Sequence, residues 1–178
     1  RQKFLRFEGH YHGWLDNVCW GISAKPGEEL GARENPIAYP WTEGLPGGAR
    51  DEFIVLPLND LALLKDTVKK HHHELAAILT EPVMCNSGCI LPDEGKLSGM
   101  RALCDEFGMA LIFDEVITGF RLSLGGAQQY FNIKPDISVF AKAIASGYPL
   151  SVISGKSEWM ELIEKSRVIH AGTMNSSN

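Results

Sequence analysis

The sequence predicts an α/β fold with a mostly parallel sheet and helices on both faces. An unbroken apolar run at residues 109–113 ends in Asp114 and Glu115, which is typical of a buried parallel strand whose carboxyl end opens into a ligand site. Residues 101–108 have helical apolar spacing and end in a glycine, so they predict a helix before that strand. Helix, glycine and buried strand make half of a βαβ unit, the repeating unit of parallel sheets.

The other elements follow in chain order. Alternating residues 3–7 predict a short strand, and residues 14–50, rich in Gly, Pro and Trp, predict a long irregular segment. Asn59 and Asp60 are candidate caps for a helix at residues 61–73. The further predicted elements are strands at residues 53–57, 75–80, 136–141 and 151–155 and a helix from about residue 158 to 165.

A carboxylate and a lysine, Asp114 and Lys142, follow two of these strands. A lysine ammonium at the end of a buried strand is costly unless it is paired or consumed by a reaction. Schiff-base formation is such a reaction, and pyridoxal 5'-phosphate, which forms an aldimine with lysine, also needs a carboxylate on its pyridinium nitrogen. The alternative is structural, with Asp114 and Glu115 capping a loop and Lys142 reaching the surface.

Several separated motifs resemble one protein family. They are the Asp-Glu-Val-Ile-Thr-Gly-Phe-Arg run at residues 114–121, the Glu-Pro-Val run at residues 81–83, and Lys142 standing 28 residues after Asp114. These resemble the class III, fold type I, pyridoxal-phosphate-dependent aminotransferases. Residues 119–131 look most like the glutamate-1-semialdehyde 2,1-aminomutases within that family. The likeness runs from about residue 7 to residue 178, with a poorly matching stretch between residues 17 and 48.

The resemblance implies roles for individual residues. Lys142 would hold pyridoxal 5'-phosphate as an aldimine and then shuttle the substrate proton, while Asp114 would keep the pyridine nitrogen protonated. Val116, expected on an extended segment, would pack under the ring. Tyr11 would lie over the ring, with His12 beside it.

Three further candidates come from the same resemblance. Glu81 ends a predicted strand beside the cofactor. Asn86 stands in the loop where many class III transaminases carry a second glutamate, which resembles the aminomutases and some amine transaminases. Thr173 matches a threonine that reaches the phosphate in the neighbouring subunit, which implies a homodimer with shared active sites. Residues 1–178 would then be a partial large, cofactor-binding domain, without the amino-terminal segment and the carboxy-terminal small domain.

The resemblance implies amino-group transfer with a small-molecule amino donor or acceptor, as in a glutamate-1-semialdehyde 2,1-aminomutase. One alternative is an ω-amine or β-amino acid:pyruvate transaminase. A second is a non-catalytic α/β binding module. A dinucleotide-binding domain ranks last, because no G-x-G-x-x-G run follows a predicted strand.

Composition excludes other classes of function. The 178 residues carry a formal net charge of −5, which does not favour nucleic-acid binding, and no apolar run approaches the roughly 20 residues of a membrane span. The four cysteines have no metal-ligand spacing and are expected to be reduced thiols of a cytoplasmic protein. The consecutive histidines at residues 71–73 point about 100° apart on a helix, so they cannot all face one metal ion.

Overall fold

A computed structural model describes residues 1–169 and contains a six-stranded sheet. The strands in chain order are β1 (Lys3–Phe7), β2 (Gly31–Ala32), β3 (Asn35–Pro36), β4 (Phe53–Leu56), β5 (Leu75–Thr80), β6 (Ala110–Asp114), β7 (Ile137–Phe140) and β8 (Val152–Gly155). The sheet order is β4-β1-β5-β6-β7-β8, and only the β7–β8 pairing within it is antiparallel. Strands β2 and β3 pair separately. The predicted mixed α/β class with a mostly parallel sheet is confirmed.

Within residues 1–169, four α-helices accompany the sheet: α1 (Leu61–His71), α2 (Lys96–Phe107), α3 (Gly126–Tyr130) and α4 (Ser157–Glu164). Asp60 caps α1, because its carboxylate accepts a hydrogen bond from Leu63 N at 2.9 Å. Gly108 ends α2 with φ +60°, as the sequence predicted. Helix α1 ends two residues earlier than predicted, and α2 begins five residues earlier. Among residues 1–169, none of the helices is long and apolar enough to cross a membrane.

The main core lies between the sheet and the pair α1 and α2. Leu64 and Val68 of α1 and Met100 of α2 are fully buried against apolar residues of the strands. Burial of each such side chain stabilises the fold by roughly 1.5–3 kcal/mol. The strand residues of this core are Leu5, Phe7, Leu56, Leu75, Ile78, Leu111 and Phe113.

Alternation along β4 directs other side chains to the opposite face of the sheet. Phe53 and Val55 of β4 pack there with Trp20 and Ala38, and partly buried Phe4 of β1 packs against the same cluster. Both Trp20 and Ala38 belong to the irregular segment between β1 and β4. At this end of the sheet, a loop therefore covers the second face.

The register brings the carboxyl ends of the parallel strands to one edge of the sheet. Thr80 of β5 pairs with Phe113 of β6, and Asp114 pairs with Val139 of β7. Residues that follow these strands therefore lie beside one another at that edge, where open α/β sheets bind their ligands.

Candidate active site

The side chains of Asp114 and His12 are in hydrogen-bond contact at this edge. His12 Nδ1 lies 2.8 Å from Asp114 Oδ2, and Val116 N donates to Asp114 Oδ1 at 3.1 Å. The two side chains are only 3% and 12% exposed. The pair therefore holds the carboxylate in one orientation at the end of β6.

The loop after β1 is held by a buried arginine that sequence reasoning missed. Arg6 is fully buried and donates to the carbonyl oxygen of His10 at 2.6 Å and to that of Val18. Burial lowers the pKa of Arg6 to about 10, although nearby Cys19 and Glu81 oppose this shift. The sequence feature that could have revealed this role is the position of Arg6, a charged residue inside a short apolar strand. The contacts fix the loop that carries His12.

His10 ties this loop to the end of β5. Its Nδ1 accepts a hydrogen bond from Glu81 N at 3.2 Å. Burial, followed by the charges of His12, Arg6 and Lys96, lowers the pKa of His10 well below its usual value. His10 is therefore neutral at physiological pH, which lets Nδ1 act as an acceptor.

Glu81 connects the predicted residues Tyr11 and Asn86. Its Oε1 accepts from Tyr11 N at 2.7 Å and from Asn86 Nδ2 at 3.1 Å, while its Oε2 accepts from Cys85 N at 3.1 Å. Glu81 is buried, and bonds to a charged acceptor are the stronger class of hydrogen bond. The structure thus gives this carboxylate the role of joining two loops.

Lys142 follows β7 but is not buried, contrary to the sequence expectation. It begins a short 3₁₀ turn, Lys142–Ala145, with φ +50°, and its side chain is exposed in the described chain. It stands three residues after Val139, the partner of Asp114. Its positive charge opposes the burial-driven rise in the pKa of Cys85, which stands next to Asn86.

The expectation for Val116 is also corrected. Residues 116–121 form a turn rather than an extended segment, and Gly119 N donates to Glu115 O at 2.9 Å. The reversal follows from the hydrogen bond between Val116 N and the Asp114 carboxylate, which bends the chain back. Half-buried Val116 therefore stays beside Asp114 through a turn and not through strand alternation.

Glu115, adjacent to Asp114, has a structural role. It is fully buried and accepts from Ala127 N at 2.5 Å and Gln128 N at 3.1 Å at the start of α3. Gly126 has φ +73°, and a Cβ there would overlap the Glu115 carboxylate. The structural alternative thus holds for Glu115. From the sequence alone, this structural alternative, in which the carboxylates cap a loop, applied to both Asp114 and Glu115.

An open cleft of about 340 Å³ adjoins the cluster. Its lining is uncharged and includes Tyr11, Trp41, Asn86 and Ser23. The Tyr11 and Trp41 rings meet edge to face with centroids 5.5 Å apart. A larger cleft of about 440 Å³ lies at the opposite edge, near Lys3 and other residues at the amino ends of the strands, and is remote from these groups.

The structure brings together Tyr11, His12, Glu81, Asn86, Asp114 and Val116 at one edge, with Lys142 after the neighbouring strand. Thr173 lies outside the described residues. Within the described part of the chain, histidine, cysteine and carboxylate side chains form no cluster of three or more that could hold a metal ion.

Comparison with known proteins identifies the family of this chain. The family model for class-III aminotransferases matches residues 1–177. A glutamate-1-semialdehyde 2,1-aminomutase from Thermodesulfovibrio yellowstonii is 42% identical over 178 residues, which is 99% of this chain and 40% of that protein. The chain therefore spans less than half the length of this relative.

Solved structures show the same fold. An ω-transaminase from Sphaerobacter thermophilus superposes with a TM-score of 0.87 at 33% identity, over 99% of this chain and 40% of the other. A transaminase with PLP bound gives a TM-score of 0.86 at 29% identity, with the same coverage. The chain belongs to the class-III aminotransferase family.

Proposed function

We propose that the protein containing this chain moves an amino group with the help of pyridoxal 5'-phosphate, as a glutamate-1-semialdehyde 2,1-aminomutase. The observation that carries the proposal is the His12–Asp114 pair at the end of β6, next to the strand that leads to Lys142. The 42% identity to an aminomutase supports the choice of reaction.

The residues at this edge fit the cofactor. Asp114 offers a carboxylate for a pyridinium nitrogen, already oriented by His12 and by Val116 N. Lys142 offers an accessible amine for covalent attachment. When bound, the cofactor supplies an electron sink for the electrons released at the substrate α-carbon.

The other side chains have supporting roles in this proposal. Tyr11 and Asn86 are positioned through Glu81, and both residues line the cleft where substrate would enter. Lys142 would hold the cofactor, and its amine would also carry the proton to and from the substrate carbon. A neutral amine is required for that step.

A second candidate is an ω-amine or β-amino acid:pyruvate transaminase. It is favoured by the 0.87 TM-score against an ω-transaminase and by the uncharged lining of the cleft, which suits substrates with an apolar group. Asn86 is compatible with both reactions.

A wider set of expectations belongs to the same proposal. The chain would form part of a cofactor-binding large domain, and the protein would be a homodimer in which Thr173 reaches the phosphate of the neighbouring subunit. A cytoplasmic location is supported by the free thiols of all four cysteines.

The test uses the full-length protein with pyridoxal 5'-phosphate and follows its visible absorption spectrum. Aminomutase activity predicts that glutamate-1-semialdehyde changes the spectrum and that 5-aminolevulinate appears. A transaminase would instead respond to a simple amine and form alanine from pyruvate. A protein whose spectrum matches that of free cofactor, and which responds to neither substrate, would overturn both candidates.

A further inference from the structure

Two cysteines stand at the two ends of the loop that carries Asn86. Met84 and Ile90 pair in antiparallel fashion, with Met84 N donating to Ile90 O at 3.0 Å and Ile90 N to Met84 O at 3.1 Å. Cys85 and Cys89 follow directly inside this pair. This pairing places the two cysteines at the ends of one tight turn, in which residues 85–87 form a 3₁₀ helix. A disulfide bridges Cα atoms about 4.4–6.8 Å apart.

The thiols are neighbours and differ in accessibility. Both are free, with Cys85 half-buried and Cys89 exposed. Burial raises the pKa of the Cys85 thiol to about 11, and interaction with the Cys89 thiol is the next cause of that rise. Cys89 is therefore the thiol that an external reagent reaches first.

We propose that Cys85 and Cys89 are a dithiol pair that closes reversibly into a disulfide by exchange with a low-molecular-weight disulfide such as oxidised glutathione. Deprotonated Cys89 Sγ attacks one sulfur of glutathione disulfide and expels one glutathione thiolate. Cys85 then loses its proton to solvent, and its Sγ attacks Cys89 Sγ and expels the second. Two thiols are oxidised to one disulfide while one glutathione disulfide is reduced to two glutathiones.

The length of the loop makes this bridge reversible rather than structural. A disulfide stabilises a fold mainly by restricting the unfolded chain, and the effect is small when the closed loop is as short as residues 85–89. Exposure of Cys89 also keeps the bond open to reduction by a small thiol.

The pair is positioned to act on the candidate active site. Cys85 N and the Asn86 side chain both donate to Glu81, which also accepts from Tyr11 N. Closing the bridge draws Cys85 towards Cys89 and therefore changes the segment that supplies two of the three hydrogen bonds to the Glu81 carboxylate.

Redox titration of the full-length protein tests the pair directly. The protein is equilibrated with mixtures of reduced and oxidised glutathione, its free thiols are alkylated, and it is digested with trypsin. Residues 71–96 form one fragment that contains Cys85 and Cys89 and excludes Cys19 and Cys104. We expect the oxidised fragment to be lighter by two hydrogens with neither cysteine alkylated, and dithiothreitol to restore alkylation of both.

Two variants sharpen the result. Cys85→Ser should leave Cys89 joined to glutathione, because the resolving thiol is absent, whereas Cys104→Ala should still form the bridge. The proposal is overturned if wild-type Cys85 remains alkylated at every glutathione ratio, whether or not Cys89 carries glutathione. This readout involves neither cofactor nor turnover, so its failure is distinct from failure of the proposed function.

Discussion

His12 Nδ1 lies 2.8 Å from Asp114 Oδ2, although 102 positions separate the two residues in the chain. The contact joins the loop after β1 to the end of β6, two strands that are separated in the sheet by β5. A carboxylate held in this way is oriented before any ligand arrives, which reduces the cost of binding a cationic ring.

Replacing His12 tests this orientation. His12→Phe keeps an aromatic ring but removes a hydrogen bond to a charged group, worth about 1.5–3 kcal/mol. We expect the affinity of the full-length protein for pyridoxal 5'-phosphate to fall about 10- to 150-fold, measured by cofactor titration. The control is His73→Phe, at an exposed position just after α1, and it should leave the affinity unchanged. Equal affinities for wild type and His12→Phe would refute the role of the pair.

Lys142→Ala removes the proposed attachment point and proton carrier. We expect turnover to fall at least about 100-fold, since general acid–base groups typically contribute that much or more. Borohydride should also no longer fix the cofactor to the protein, as mass spectrometry of the intact chain would reveal. Lys134→Ala, an exposed lysine before β7, serves as the control and should behave as wild type. Cofactor fixed to Lys142→Ala at wild-type levels would contradict the assignment.

Gly126→Ala should disrupt the turn that Glu115 holds. An alanine at φ +73° is strained by about 1–2 kcal/mol, and its Cβ would also displace the buried carboxylate, at a further cost of about 1–3 kcal/mol. Gly44→Ala is a matched control, because Gly44 has φ +85° but open space around it. Urea unfolding of both variants separates backbone strain from displacement of the Glu115 carboxylate. Equal losses of stability in the two variants would show that the new Cβ does not displace Glu115.

Because Lys96 is buried, we expect the stability of the fold to increase with pH in the alkaline range. Its side chain is 1% exposed, and its Nζ lies 4.7 Å from the centroid of the Phe7 ring, without a hydrogen-bond partner among residues 1–169. Burial lowers the pKa of Lys96 from 10.5 to about 8, although Asp60 and Asp93 oppose this shift. Between these two pKa values the unfolded chain binds more protons than the folded one, so stability should rise as pH increases from about 8.

Lys96→Met should remove that rise and stabilise the protein at pH 7 by on the order of 1–3 kcal/mol, because an apolar group of similar length replaces a buried amine. Urea midpoints measured at pH 7, 8 and 9.5 provide the comparison. Lys70→Met, at an exposed position of α1, should change the urea midpoints little and should keep the wild-type increase of the midpoint with pH. A wild-type protein with a flat profile would show that Lys96 is solvated or paired.

The sequence alone determined the fold class, the six strands of the main sheet, the helices α1, α2 and α4, and the positions of Asp114 and Lys142 near the ends of β6 and β7. These are local properties: apolar runs, helical spacing, the Asp60 cap and the Gly108 terminus all depend on neighbours a few positions apart. Motifs at Glu81, Asp114 and Lys142 also lie within short runs of residues, so they could be recognised without a structure.

Only the tertiary structure decided which side chains are partners. Glu81 joins Tyr11 to Asn86, Arg6 supports the loop that carries His12, and the turn at Val116 replaces an extended segment. These contacts join residues that are as many as 102 positions apart in the chain, so no local sequence pattern predicts them. They arise because the parallel register places the ends of separate strands at one edge, where most buried polar groups are paired by hydrogen bonds.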